Sequence, residues 1–117
     1  MITPVIKDYH VINLHPVESE RPDWDPNYIK ALVEVEIGLP TEESSSIYYF
    51  LFVTQYSIKH LDNEFKRHRG LVVLETFGLR EIEEHLNYVC DKCSGIDWND
   101  IHDKLINMSE WEYERHN

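Results

Sequence analysis

Two cysteines, Cys90 and Cys93, have the spacing of a redox or metal-binding pair in this chain of 117 residues. A redox pair of this kind sits at a helix N-terminus, where the helix dipole lowers the pKa of the first thiol. Here the pair falls near the C-terminal end of a predicted helix, where the dipole disfavours a thiolate. A zinc site would need two more ligands, and no spacing selects His85 or His102 for that role. We therefore interpret both cysteines as small core residues and expect no metal and no cofactor.

The other nucleophiles and bases form no catalytic pattern. The seven histidines include no His-x-His or His-Glu-x-x-His spacing. His10 and His15 could form an acid–base group with Asp8, although ordinary surface histidines explain them more simply. The serines at 44–46 lack the flanking glycines of a nucleophile elbow, and the four glycines are too scattered to form a phosphate-binding loop. The sequence therefore predicts no enzyme activity.

Acidic residues dominate the charge of the chain. Its 22 Asp and Glu outnumber its 11 Lys and Arg, which gives a formal charge of −11. This excess is larger than the roughly 2–8 charges that solubility alone asks of a small domain. Nucleic acid and anionic membranes both need a positive surface, so neither is an expected partner. A field of this strength speeds encounter with a cationic molecule, and a basic protein is therefore the expected partner.

Acidic and aromatic residues occur together in this sequence, a combination typical of interface hot spots rimmed by charge. Trp24 lies in a proline-rich acidic loop over residues 15–27, and Trp111 lies in an acidic tail. We expect Trp111 to close the core, whereas the role of Trp24 stays open. The expected partner contacts come from the loop, the second strand, the turn after it and the last helix: Asp23, Trp24, Asp25, Glu34, Glu36, Glu42, Glu43, Asp100 and Asp103.

Length and composition predict one domain over residues 1–117, since domain sizes peak at about 100–150 residues. Hydrophobic residues make up 42% of the chain, too many for a disordered acidic tail. The longest apolar run, residues 47–53, is far shorter than the roughly 20 residues that cross a bilayer. No signal peptide is visible, and the two cysteines cannot make a disulfide framework. We therefore expect a cytoplasmic protein with reduced thiols, either a monomer or a weak dimer.

Hydrophobic patterns predict the strands that position these residues. Strands are predicted over residues 4–14, 31–37, 47–54 and 71–76. The second alternates strictly, with Glu34 and Glu36 on the polar side, which indicates one buried and one wet face of a sheet. The third is apolar on both faces and should be central. The tail at 110–113 suits a terminal strand or a packed extension.

Apolar residues at helical spacing predict three helices. Their apolar positions are Ile58, Leu61 and Phe65; Leu79, Ile82, Leu86, Val89 and Cys93; and Trp98, Ile101, Leu105 and Met108. Asp97 is placed to cap the last helix, with Asp100 three residues later in the manner of a capping box. The order of elements predicts an α+β fold, with a mostly antiparallel sheet of four or five strands and helices packed on one face.

Several short motifs extend over nearly the whole chain. They are the pairs Pro22-Asp23 and Asp25-Pro26 before a strand, Ile37-Gly38-Leu39-Pro40 with an acidic turn, an aromatic strand ending in Thr54, a short helix closing on Leu61, the helix start Asp97-Trp98-Asn99-Asp100 and the ending Trp111-Glu112-Tyr113-Glu114. In these features the chain resembles the bacterial polymorphic-toxin immunity proteins of the immunity protein 8 family. That family has a Thr-Trp-Glu-Glu helix start and a Trp-Glu-Phe-Glu ending.

The resemblance implies a cytosolic antidote that is encoded beside a secreted or contact-dependent toxin and binds its C-terminal effector domain. It implies no catalytic residues. With the negative charge, it predicts that an acidic surface covers a basic toxin domain, which we expect to be a nuclease. One alternative is an acidic adaptor, chaperone or nucleic-acid mimic for basic proteins, which would bind many of them with strong salt dependence. Another is a small metal-dependent enzyme that uses His10, His15 or the cysteine pair, which metal analysis would reveal.

Overall fold

The computed structural model describes residues 1–16, 29–58 and 61–115. The elements run β1 (Val5–Pro16), β2 (Ile29–Gly38), β3 (Ser46–Thr54), α1 (Asn63–Lys66), β4 (Leu71–Leu74), α2 (Leu79–Lys92), α3 (Trp98–Leu105), β5 (Glu110–Trp111) and a 3₁₀ helix (Glu112–Arg115). Within these ranges, five strands form one sheet in the order β1-β2-β3-β4, with β5 paired to β3. The pairing of β3 with β4 is parallel and the others are antiparallel. The predicted α+β fold is confirmed.

The alternation predicted for β2 divides the sheet into two unlike faces. Val33, Val35 and Ile37 are fully buried, whereas the residues between them stay partly exposed. We call the side of the buried residues the helix-covered face, and the side that carries Glu34 and Glu36 the open face. As predicted, β3 is central, because β2 occupies one of its edges while β4 and β5 share the other.

The longer helices, α2 and α3, pack on the helix-covered face. Ile82 and Leu86 of α2 join Ile101 and Leu105 of α3 in one cluster with the buried side chains of β2 and β3. The apolar stripe of α2 begins at Ile82, because Leu79, predicted to be part of it, is 61% exposed.

The predicted cap of α3 is confirmed. The carboxylate of Asp97 accepts a hydrogen bond from the backbone N–H of Asp100 at 2.9 Å. The carboxylate of Asp100 accepts from the backbone N–H of Ile96 at 3.0 Å, one residue before the donor of a standard capping box. Both carboxylates satisfy backbone donors at the start of the helix, which would otherwise lack partners.

The predicted first helix is shorter than expected and lies on the other side of the sheet. The α-helix α1 is a single turn, and both Ile58 and Leu61 precede it. Leu61 and Phe65 pack with Leu51 and Val53 on the open face. Because β4 runs parallel to β3, the chain must cross one face of the sheet between them, and α1 lies in that crossover. The expectation of helices on one face therefore holds for α2 and α3 but is wrong for α1.

The ends of the first two strands also differ from the prediction. The first strand continues through residues 15 and 16, which were expected in the loop, and β2 begins at Ile29 rather than at Ala31. In the described part of the chain, no helix combines the length and the apolar character that crossing a bilayer requires.

Two leucine substitutions in α2 test its buried stripe. Leu86→Ala should lower the free energy of unfolding by about 2–5 kcal/mol, because it leaves a cavity between α2 and the sheet. Leu79→Ala should change it by less than about 0.5 kcal/mol, because Leu79 already faces solvent. Urea denaturation followed by circular dichroism measures both values. Equal losses in the two variants would contradict this placement of α2.

Candidate functional site

Carboxylates gather on the open face where β1 pairs with β2. Asp8 lies opposite Glu36, and His10 lies opposite Glu34. Residues opposite each other in antiparallel strands point to the same face, with Cβ atoms about 4.5–5.5 Å apart. Nε2 of His10 lies 3.2 Å from Oδ2 of Asp8, and ligand-type atoms of Asp8, His10 and Glu36 lie within 4.8 Å of one another. Exposed carboxylates commonly gather without a metal. We therefore interpret this group as negatively charged surface and not as a metal site.

A row of three side chains continues the open face across the sheet. Tyr49 of β3 lies opposite Glu34 on one side and opposite Glu110 of β5 on the other. All three side chains are partly exposed. We call Glu34, Tyr49 and Glu110 the Tyr49 row. The sequence does not identify Tyr49 or Glu110 as site residues, because the pairing of β5 with β3 cannot be deduced from either segment alone.

Contacts of two side chains that precede β4, those of His68 and Arg69, hold β5 in place beside β3. The side chain of His68 is 4% exposed, and its Nδ1 accepts a hydrogen bond from the backbone N–H of Gly70 at 2.9 Å. Nδ1 therefore carries no proton, and the ring proton is on Nε2, which lies 3.7 Å from Oε1 of Glu110. Arg69 donates to the backbone carbonyl of Ile106 at 2.7 Å and pairs with Glu114. These contacts tie the segment before β4 to both flanks of β5.

A cleft forms where α1 meets β5, next to the Tyr49 row. Its lining residues are Glu64, Phe65, Arg67, His68 and Glu110. The cleft thus combines a phenyl ring, an imidazole, two carboxylates and one guanidinium, with Glu110 shared between the cleft and the row. The open face is therefore polar at this edge and is bordered there by α1.

The turn between β2 and β3 adds to the acidic surface. Glu42 and Glu43 are exposed in this turn, which residues 39–45 form. The Lys7 ammonium donates to the backbone carbonyl of Glu42 at 2.6 Å. The hydroxyl of Ser45 donates to Oε1 of Glu36 at 3.2 Å, which links the turn to the open face. The structure therefore brings together the predicted contact residues of β2 and of the turn.

The remaining predicted contact residues lie elsewhere. Asp100 and Asp103 belong to α3, so the sheet separates them from Glu34 and Glu36. The carboxylate of Asp100 is already used in the cap of α3 and lies 3.6 Å from the Lys104 ammonium. The predicted acidic loop falls outside the described residues, and with it the predicted contacts Asp23, Trp24 and Asp25.

Trp111 has the core role predicted for it. Its side chain is partly buried and packs against the main core cluster. Its ring meets that of His102 edge to face, with ring centres 4.7 Å apart. His102 in turn shares a hydrogen bond of 2.7 Å with the hydroxyl of Tyr48, which is fully buried. Trp111 thus anchors β5 to α3 and leaves Glu110, its neighbour, on the open face.

The cysteine pair is part of the core, as predicted. Cys90 and Cys93 are both reduced and buried. Burial raises the pKa of Cys90 to about 12 and also raises the pKa of Cys93. The sulfur of Cys93 lies 3.8 Å from that of Met108, within the apolar packing between α2 and the segment after α3. The raised pKa values favour protonated thiols, the opposite of what redox chemistry needs.

Alkylation with iodoacetamide tests this assignment of the cysteines. In the folded protein at about pH 8, both thiols should react at least about a hundredfold more slowly than in concentrated urea, because the thiolate is the reactive form. Mass spectrometry of quenched samples measures the two rates. Rapid modification of Cys90 or Cys93 in the folded protein would contradict the buried, protonated state.

Comparison with known proteins gives one result. The model of a family described as Immunity protein 8 matches residues 5–116. No curated protein and no solved structure matches the chain. The matched residues include every strand that builds the open face.

Proposed function

Because this chain belongs to the immunity protein 8 family, we propose that it is an immunity protein that binds and neutralises the C-terminal domain of a cognate toxin. The formal charge of −11 supports a basic partner, since opposite charge speeds and orients association. We propose a nuclease as the target, because a groove that binds polyphosphate is commonly basic. The protein would act in the cytoplasm by covering this groove, with no reaction of its own.

The observation that supports the docking surface most directly is the acidity of the open face. Asp8, Glu34, Glu36 and Glu110 reach it from three different strands, β1, β2 and β5. Carboxylates in close register repel one another, and a cationic partner would relieve this repulsion. The turn with its exposed acidic pair extends the surface at one end of the sheet. We propose that the toxin covers this combined area, for which a standard interface needs about 800 Å² per partner.

The helix layer is a less suitable docking surface. Asp100 is committed to the start of α3 and pairs with Lys104. The exposed carboxylate of Glu84 pairs with Arg80 at 2.9 Å. A carboxylate that already pairs with a lysine or arginine of the same chain offers less to an incoming cation. The contacts predicted at Asp23, Trp24 and Asp25 stay part of the proposal, since the loop that carries them follows β1.

Inhibition of the toxin tests the proposed function. The C-terminal domain of the toxin encoded beside this gene should lose its activity when this protein is added at an equimolar ratio. A non-cognate basic protein, such as a histone, should bind far more weakly, because specificity needs more than opposite charge. Undiminished toxin activity would contradict the proposal. Equally tight binding to the histone would favour the adaptor or nucleic-acid mimic.

Two charge reversals test which surface the toxin covers. Glu34→Lys with Glu36→Lys should weaken binding at least about tenfold, because like charges then face each other across the interface. Glu84→Lys with Asp103→Lys makes the same change in net charge on the helix layer, and it should weaken binding less than about threefold. Calorimetric titration at near-physiological salt measures both affinities. A larger loss in the helix-layer variant would place the docking surface there.

A further inference from the structure

We propose that Tyr49 and the two carboxylates that flank it form a binding site for one arginine side chain of the toxin. This inference rests on the proposed function and adds the chemistry of a single contact within the docking surface. The Tyr49 row supplies an aromatic ring with a carboxylate on each side, because Glu34 and Glu110 occupy the strands next to β3.

The position of Tyr49 in β3 supports this role. Its neighbours along the strand, Tyr48 and Phe50, point into the core and are fully buried. Tyr49 points to the opposite side and stays partly exposed. An aromatic ring at the centre of a polar, charged surface is the usual anatomy of an interface hot spot. On one side the row is bordered by α1, which lines the cleft beside Glu110.

The geometry suits a guanidinium group better than an ammonium group. Arginine has a planar group that can stack on an aromatic ring while its N–H groups point outward in the ring plane. Above Tyr49, these donors would point towards the carboxylates of Glu34 and Glu110 on opposite sides. A lysine ammonium is a compact, strongly hydrated point charge and cannot reach both carboxylates from one position in this way.

The open face already contains one contact of the same chemical kind. The ammonium of Lys30 lies 3.9 Å from the centre of the Phe65 ring. Lys30 faces Val53 in the register, whereas Glu34 faces Tyr49, so the lysine sits four residues along β2 from the row. Arg67 lines the cleft beside Glu110, and its positive charge is offset by the carboxylate of Glu64 in the same cleft. The carboxylates of Glu34 and Glu110 therefore keep the row negatively charged, which complements a cationic side chain from outside.

Substitutions in the row test the site. Tyr49→Phe keeps the ring and should change the dissociation constant of the toxin domain by less than about threefold. Tyr49→Leu should weaken binding at least about tenfold, as expected for a hot spot. Glu34→Gln with Glu110→Gln should also weaken it at least about tenfold, and this variant serves if the leucine variant does not fold.

Matched controls come from α2. Tyr88 is 50% exposed and has the Lys92 ammonium 5.7 Å from its ring centre, so Tyr88→Leu removes a similar group from the helix layer. Glu81→Gln with Glu84→Gln removes the same charge as the double change in the row. Both controls should bind the toxin within about threefold of the wild-type protein.

Chemical footprinting identifies the side chain that occupies the site. Phenylglyoxal modifies arginine, and one arginine of the toxin domain should be protected in the complex and become reactive again in the complex with Tyr49→Leu. Protection of a lysine alone, detected by reductive methylation, would overturn the arginine assignment. Wild-type affinity in Tyr49→Leu and in Glu34→Gln with Glu110→Gln would overturn the site, while inhibition by the wild-type protein would leave the proposed function standing. Failure of the wild-type protein to inhibit the toxin would instead overturn the proposed function.

Discussion

The antiparallel pairing of β2 with β3 determines both the core and the open face. The register runs from Lys30 opposite Val53 to Ile37 opposite Ser46, so each side chain of β2 has a fixed neighbour on its own face. A slip of one residue would turn Val33 and Val35 to solvent and bury Glu34 and Glu36. Burial of unpaired carboxylates is very costly, which makes the register strongly favoured. The free energy that stabilises the core thus also keeps the acidic residues on the surface.

The shared outer edge of β3 determines what surrounds this surface. Its second half pairs with β4 and its first half with β5. The parallel pairing requires a crossover, and the crossover brings α1 onto the open face next to Leu51 and Val53. The short pairing with β5 adds Glu110 beside Tyr49. The outer edge of β3 therefore has the crossover with α1 at one end and the carboxylate of Glu110 at the other, and these come from segments far apart in sequence.

Short sequence patterns predict the structural features that depend only on residues close together in the chain. The alternation of β2, the capping role of Asp97 and the burial of Cys90 and Cys93 each follow from spacing or from position in a helix. The Tyr49 row was missed because it depends on which strands become neighbours, and no short pattern records that. The first α-helix was predicted too long because Ile58 and Leu61 have helical spacing with Phe65 but pack against the sheet from outside α1. Leu79 was wrongly predicted to be buried, because helical periodicity does not show at which residue α2 first contacts the sheet.

The late position of β5 among the strands has a consequence for biosynthesis. On the ribosome, β3 emerges well before Glu110 and Trp111, so its apolar, aromatic edge at Tyr48 and Tyr49 stays unpaired for a time. Exposed strand edges invite pairing with other chains. A nascent chain without a docked β5 would therefore be prone to aggregate and would lack Glu110 on its open face. The open face is complete only once β5 has paired with β3.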